Sequence, residues 1–189
     1  MSGRRTRAAV AGILALALAL RLLGLGFGLP LVSNFYVRPD ESLVIASAAG
    51  LFERGGHPGM FAYPALLAEL CALAGAALGG PGEMVRRFAA SPGGLFLIGR
   101  AISALLGTLT VWLTYAAGRR WAGRRAGVWA AALLAVAALA VRESHYATTD
   151  TLLTFCCTLF VWTALRGLLA PAERGGTRAW AVALGVCAG

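Results

Sequence analysis

The sequence predicts an all-α fold: a polytopic membrane bundle of about four full spans and a truncated fifth, with surface helices in its first external loop. Three observations carry that expectation. The 189 residues are 59% hydrophobic and only 13% charged, whereas a soluble domain of this length carries roughly a quarter charged residues. Several apolar runs approach the roughly 20 residues that a spanning helix needs. Between them lie 17 basic residues, all arginine, for a net charge of +9. Arginines spaced between apolar runs set membrane orientation and do not form an aromatic-interleaved patch, so membrane lipids are the expected partners and nucleic acid is not.

Each element follows from its own residues. Arg4-Arg5-Thr6-Arg7 precedes a first apolar run, 8–28. It is longer than a signal-peptide core and has no evident cleavage site, so it is expected to remain as span 1. Arg21 inside it is expected to snorkel to the outer surface. Residues 29–94 then form one external loop. Within that loop Asp40 to Phe52 reads as a short helix, with Val44, Ala48, Leu51 and Phe52 on its apolar side and Gly55-Gly56 as its stop. Too short to cross, it should lie along the membrane surface. Pro64 to Gly82 is apolar but carries Glu69 and ends in Gly79-Gly80-Pro81-Gly82. Spans 2, 3 and 4 are expected over 95–118, 126–141 and 148–169. A fifth run from 179 is cut off at Gly189, so the sequence reads as the N-terminal part of a longer protein.

Arginine placement fixes the parity of these crossings. The turn 119–125 carries four arginines and belongs on the cytoplasmic side with the Arg4–Arg7 tail. Two crossings between them satisfy this, which makes 64–82 a horizontal or re-entrant segment at the outer surface. Arg86-Arg87, left outside by that solution, is the opposing observation. The consequence is chemical: Arg38-Pro39-Asp40-Glu41 and the stretch Arg142–Asp150 then share one face and can meet.

Two acidic clusters at a water–lipid boundary suit a transfer reaction on a phosphate-bearing lipid. Asp40, with Glu41 beside it, is the candidate general base, because a partly desolvated carboxylate becomes more basic. The plainer alternative makes Asp40 a helix N-cap and Glu41 a complement to the helix dipole. Asp150 also stands at a helix start, yet an ionisable group at a span terminus reads as functional by default. Arg38, Arg100 and Arg142 are candidate phosphate ligands, since guanidinium binds phosphate bidentately; ion pairing and snorkelling are the alternatives. His57 and His145 match no metal template, although carboxylates alone could hold Mg²⁺ or Mn²⁺ with waters. Cys71, Cys156, Cys157 and Cys187 form no C-x-x-C pair and are expected as buried thiols. With no nucleotide-cradling loop present, a donor already in the membrane is required.

Five stretches, in order and at their separations, resemble the GT-C membrane glycosyltransferases. They are Arg38–Glu41, Tyr63–Leu66 (Tyr-Pro-x-Leu), Arg100–Val111, Gly118–Arg120 and Ala147–Phe155. The nearest branch is that of protein O-mannosyltransferases, aminoarabinose–lipid A transferases and Rgt-like bacterial sugar transferases. The resemblance implies transfer of a sugar, usually with inversion, from a polyprenyl-phosphate carrier to a protein, lipid or glycan acceptor on the extracytoplasmic face of a bacterial plasma membrane. It places the catalytic acid on Asp40, with Glu41 as its motif companion and Asp150 in support. Arg100 or Arg142 would contact the carrier phosphate, and Tyr63 and His145 are candidate substrate contacts. A transporter or channel component is the alternative, but transporters put ionisable groups at the midplane of repeated halves. Here the acids sit at span ends and no repeat is visible. A non-catalytic scaffold has no positive sequence support.

Overall fold

The computed structural model describes residues 3–29, 38–59 and 63–168, and over these the chain is helical. The described residues form seven helices: α1 (Gly3–Leu22), α2 (Pro39–Ala49), α3 (Leu66–Ala77), α4 (Pro81–Ala90), α5 (Gly93–Val136), α6 (Ala138–Glu143) and α7 (Thr149–Leu168). The fifth run expected from residue 179 lies outside the described residues.

The longest helix is two limbs. At Gly123 the backbone turns to φ 89°, ψ 175°, outside helical space and in a region only glycine enters freely. The limbs fold back on each other. A β-carbon on Gly118 would lie 2.9 Å from the Gly127 Cα, although nine residues along a straight helix span about 13.5 Å. Two glycines face to face let the limbs approach backbone to backbone, as small residues do between membrane helices. Among the described residues α5 is the one helix long and apolar enough to cross a membrane; its best 18-residue window has a mean hydropathy of 1.7.

Around this hairpin α1 and α7 pack along α5. Ala17 of α1 meets Val111, Ala131 and Ala135 in one buried cluster. Gly3 lies near the Arg124 guanidinium, so the basic tail and the basic turn occupy the same end of the bundle. Trp112 and Trp162 tie α5 to α7 with ring centroids 6.1 Å apart. Threonines inside the helices satisfy their own hydroxyls: Thr108, Thr110, Thr114 and Thr158 each donate to the carbonyl four residues back, at 2.7–2.8 Å.

The opposite end holds a second, larger core. Val44, Ile45, Leu67, Cys71, Phe96 and Ala147 are among the residues buried together there, joining α2, α3, α5 and the turn before α7. The helix read over residues 40–52 is observed as Pro39–Ala49, and six of its residues are buried, so it is seated in the bundle. Arg38 is its N-cap and Pro39 stands where a missing N–H costs nothing. Arg54 closes the following turn on the carbonyls of Ser47 (2.8 Å) and Pro58 (3.0 Å). Helix α4 has no counterpart in the sequence reading, although Gly80-Pro81 is a helix-start signal and Glu83 pairs with Arg86 and Arg87. Of the cysteines, Cys71 is buried but Cys157 is exposed, contrary to expectation; it faces outward from α7, where an apolar thiol needs no protein cover if lipid surrounds it.

Candidate active site

Glu41 and Arg100 form the tie between α2 and α5. The carboxylate and guanidinium meet in two parallel bonds, Nε to Oε1 and Nη2 to Oε2, both 2.7 Å. Each side chain is about 2% exposed. Glu41 Oε1 also accepts the Ala147 N–H at 2.9 Å, and Arg100 Nη1 donates to the carbonyls of Leu25 and Phe27, both at 2.7 Å. Four of the five guanidinium donors are thus engaged. Removing ions from water is costly unless geometry and extra hydrogen bonds compensate, and here they do. Gly99 makes the closeness possible: a β-carbon there would lie 2.6 Å from the Ala147 Cβ and 3.0 Å from the Ile45 Cδ1. Arg100, expected as a phosphate contact, is an internal strut.

A second group opens beside it. Arg38 reaches Glu143 at 3.0 Å and Arg142 reaches the same carboxylate at 2.6 Å. Two cations thus share one anion. The Tyr146 ring lies between Arg38 and Arg100, whose guanidinium carbons are 4.9 and 5.4 Å from its centroid, within cation–π range. The ion pairing weighed against phosphate binding for Arg38 and Arg142 is thus present, on Glu143, whereas sequence reasoning did not single out Tyr146. His145, expected as a substrate contact, bonds the Leu23 carbonyl through Nε2 at 2.7 Å, which fastens the end of α1 to the α6–α7 turn.

Asp40 differs from its neighbour. It is exposed, makes no cap bond, and accepts a 2.8 Å hydrogen bond from the Tyr63 hydroxyl. That bond, some desolvation and the nearby charges of Asp40 and Asp150 raise the Tyr63 pKa above its ordinary value of 10.0. The phenol is therefore a neutral donor at any physiological pH, within electrostatic reach of both aspartates. Arg38, two residues before Asp40, lines one cavity with Asp150, so the two distant acidic motifs stand at the same end of the bundle.

Asp150 lines a cavity of about 510 Å³ together with Arg21, Arg38, Glu143, Ser144 and Thr151. Arg21 does not snorkel: it is 1% exposed. Its Nη1 donates to the carbonyls of Ala17 (3.0 Å) and Ala135 (3.2 Å). The helix break after Val136 leaves last-turn carbonyls without intrahelical partners, and a guanidinium satisfies them more strongly than a neutral donor would. Gly107 gives the arginine room, since a β-carbon there would meet Ser144 Oγ and lie 2.9 Å from Arg21 Nε. An arginine inside an apolar run was the available signal; what was missing was the acceptor set on another helix.

Among the described residues no group of three or more His, Cys, Asp or Glu is disposed to hold a metal ion. Searches of curated proteins and of solved structures find no match. The model of the dolichyl-phosphate-mannose-protein mannosyltransferase family matches residues 93–189, just over half of the chain. The matched part holds Arg100, Arg142, Glu143 and Asp150, and Asp40 and Glu41 join it through the Glu41–Arg100 tie. A membrane glycosyltransferase family is what the acid-and-arginine end of this bundle suits, and the chain belongs to the dolichyl-phosphate-mannose-protein mannosyltransferase family.

Proposed function

We propose that the protein moves a sugar from a polyprenyl-phosphate carrier to an acceptor on the extracytoplasmic face of the membrane, with inversion and with Asp40 as general base. Family membership supplies the class: glycosyl transfer from a lipid-linked sugar. The observation that carries the assignment of the base is the contrast between Asp40 and Glu41. Glu41 is locked into a buried pair, whereas Asp40 keeps an exposed carboxylate that accepts a hydrogen bond from the Tyr63 hydroxyl.

In this reaction an Asp40 oxygen takes the proton of the acceptor hydroxyl. The acceptor oxygen forms its bond to the anomeric carbon from one side. On the other side the bond from that carbon to the phosphate oxygen breaks, and the electron pair leaves with polyprenyl phosphate. Arg38 and Arg142, which together exceed the charge of Glu143, stabilise that departing anion; a guanidinium aimed at developing charge acts in this way. Spans 1 to 4 over 8–28, 95–118, 126–141 and 148–169 hold the site at the outer surface in this reading, and Mg²⁺ or Mn²⁺ would act through carboxylates and phosphate if used.

Transfer from polyprenyl-phosphate sugars by the full-length chain, compared with its Asp40→Asn and Asp150→Asn variants, tests the proposal. Unchanged transfer by the Asp40 variant removes it as base. Orientation is tested separately by cysteine labelling at positions 53 and 120; labelling of both from one side of a sealed vesicle breaks the proposed topology.

A further inference from the structure

Two residues lining the cavity beside Asp150 carry buried polar atoms with nothing to bond. Arg21 Nε and Thr151 Oγ1 have no hydrogen-bond partner, and both residues line the space. Arg21 is 1% and Thr151 6% exposed. An unpaired buried donor is costly, more so when charged, so a protein keeps one where a ligand or ordered water completes it. Their placement is not incidental to packing. Arg21 is held by main-chain carbonyls of α1 and α5, with Gly107 leaving the gap its Nε occupies.

The chemistry of the walls selects the occupant. Arg21 and Arg38 are balanced by Glu143 and Asp150, so the formal charge of the lining is zero. A phosphate would meet two carboxylates as well as two guanidiniums and would find no excess of positive charge. A neutral ligand carrying many hydroxyls meets both needs: its oxygens accept from Arg21 Nε and Thr151, and its O–H groups donate to the carboxylates. Leu134, Leu139 and Ala140 add an apolar wall suited to the C–H face of a ring. The volume of about 510 Å³ falls within the roughly 300–1,000 Å³ usual for small-ligand pockets.

We propose that this cavity receives the sugar ring of the lipid-linked donor, and that Arg21 and Thr151 are specificity-determining residues that bond its hydroxyls. The inference rests on the transferase reading above and adds to it residues outside both acidic motifs. Arg142, exposed and bonded to the Glu143 carboxylate of the lining, then adds one positive charge beside the cavity, where a phosphate attached to that ring would sit.

The test is binding by the full-length chain in lipid nanodiscs, with two probes: a polyprenyl-phosphate hexose and the same polyprenyl phosphate without sugar. Thr151→Val keeps shape and removes the hydroxyl; Arg21→Gln removes the charge, and thermal melting reports whether each variant folds. Each variant is expected to weaken binding of the sugar-bearing lipid by about five- to tenfold, the weight of one hydrogen bond, with sugar-free carrier held as before. Equal weakening for both probes would mean that the cavity binds the phosphate, and no weakening by either folded variant would mean that it binds no part of the donor; each result overturns the proposal. Should Arg21→Gln fail to fold, Thr151→Val alone decides between these outcomes. If the unmodified protein binds the sugar-bearing lipid no better than a neutral lipid and transfers nothing, the transferase reading itself has failed, and this inference with it.

Discussion

Two polar centres lie at one end of the bundle and differ in saturation. Around Glu41 and Arg100 the bonds are short, doubled and dry, and they run between α2, α5, the end of α1 and the turn before α7. Around Arg21 and Asp150 the space is open and two buried atoms lack partners. The same residue types thus serve two ends. Where acceptors are matched to every engaged donor, charge holds helices together; where they are not, charge is available to a substrate. Asp40 and Glu41, adjacent in sequence, fall on opposite sides of that division.

The comparison breaks first at Asp40. Asp40→Asn is expected to lower kcat by about 10²–10⁴-fold, the usual weight of a general base, while the melting temperature stays within a few degrees because the residue is exposed. A variant that melts early instead would put Asp40 on the structural side. Next comes Glu41→Gln, which leaves Arg100 a buried charge without its counter-ion. A loss of about 3–5 kcal/mol is expected, seen as early melting or poor accumulation of folded protein. Arg100→Lys should not restore stability, because a lysine cannot make the paired bonds or reach both carbonyls.

Smaller effects sharpen the contrast. Gly107→Ala places a methyl against Arg21 Nε and Ser144 Oγ and is expected to cost about 1–3 kcal/mol; a melting curve beside that of Gly12→Ala, where a β-carbon meets nothing within 4 Å, isolates the clash. The smallest effect is a titration. Because the Tyr63 pKa is raised, chiefly by its hydrogen bond to Asp40, the stabilisation it reflects is fully present below the ordinary value of 10.0 and is lost as pH climbs through the raised one. In Asp40→Asn the phenol should ionise closer to its ordinary value, followed by ultraviolet difference absorbance.

Much of this division was legible in the residues. The apolar runs gave an all-helical protein, and the arginine-rich turn gave a reversal that the structure centres on Gly123. Pairing of the Arg38–Glu41 and Arg142–Asp150 stretches followed from parity alone, and Arg38–Glu143 and Glu41–Ala147 are its contacts. What stayed hidden depends on partners far apart in sequence. Arg21 looked like a snorkelling side chain because its acceptors, Ala135 and Leu134, lie on another helix. Arg100 looked free for phosphate because nothing local reveals that Leu25, Phe27 and Glu41 converge on it. Helix α4 was obscured by its weak apolar content, although Pro81 marked its start.

The Glu41–Arg100 tie also sets a timetable for biogenesis. The acid leaves the ribosome 59 residues ahead of its guanidinium partner, which at roughly 5–20 residues per second is an interval of about 3–12 s. During that interval the carboxylate has no counter-charge to carry it out of water, so α2 cannot take its seat. This end of the bundle therefore closes late, paced by elongation of the hairpin that supplies Arg100.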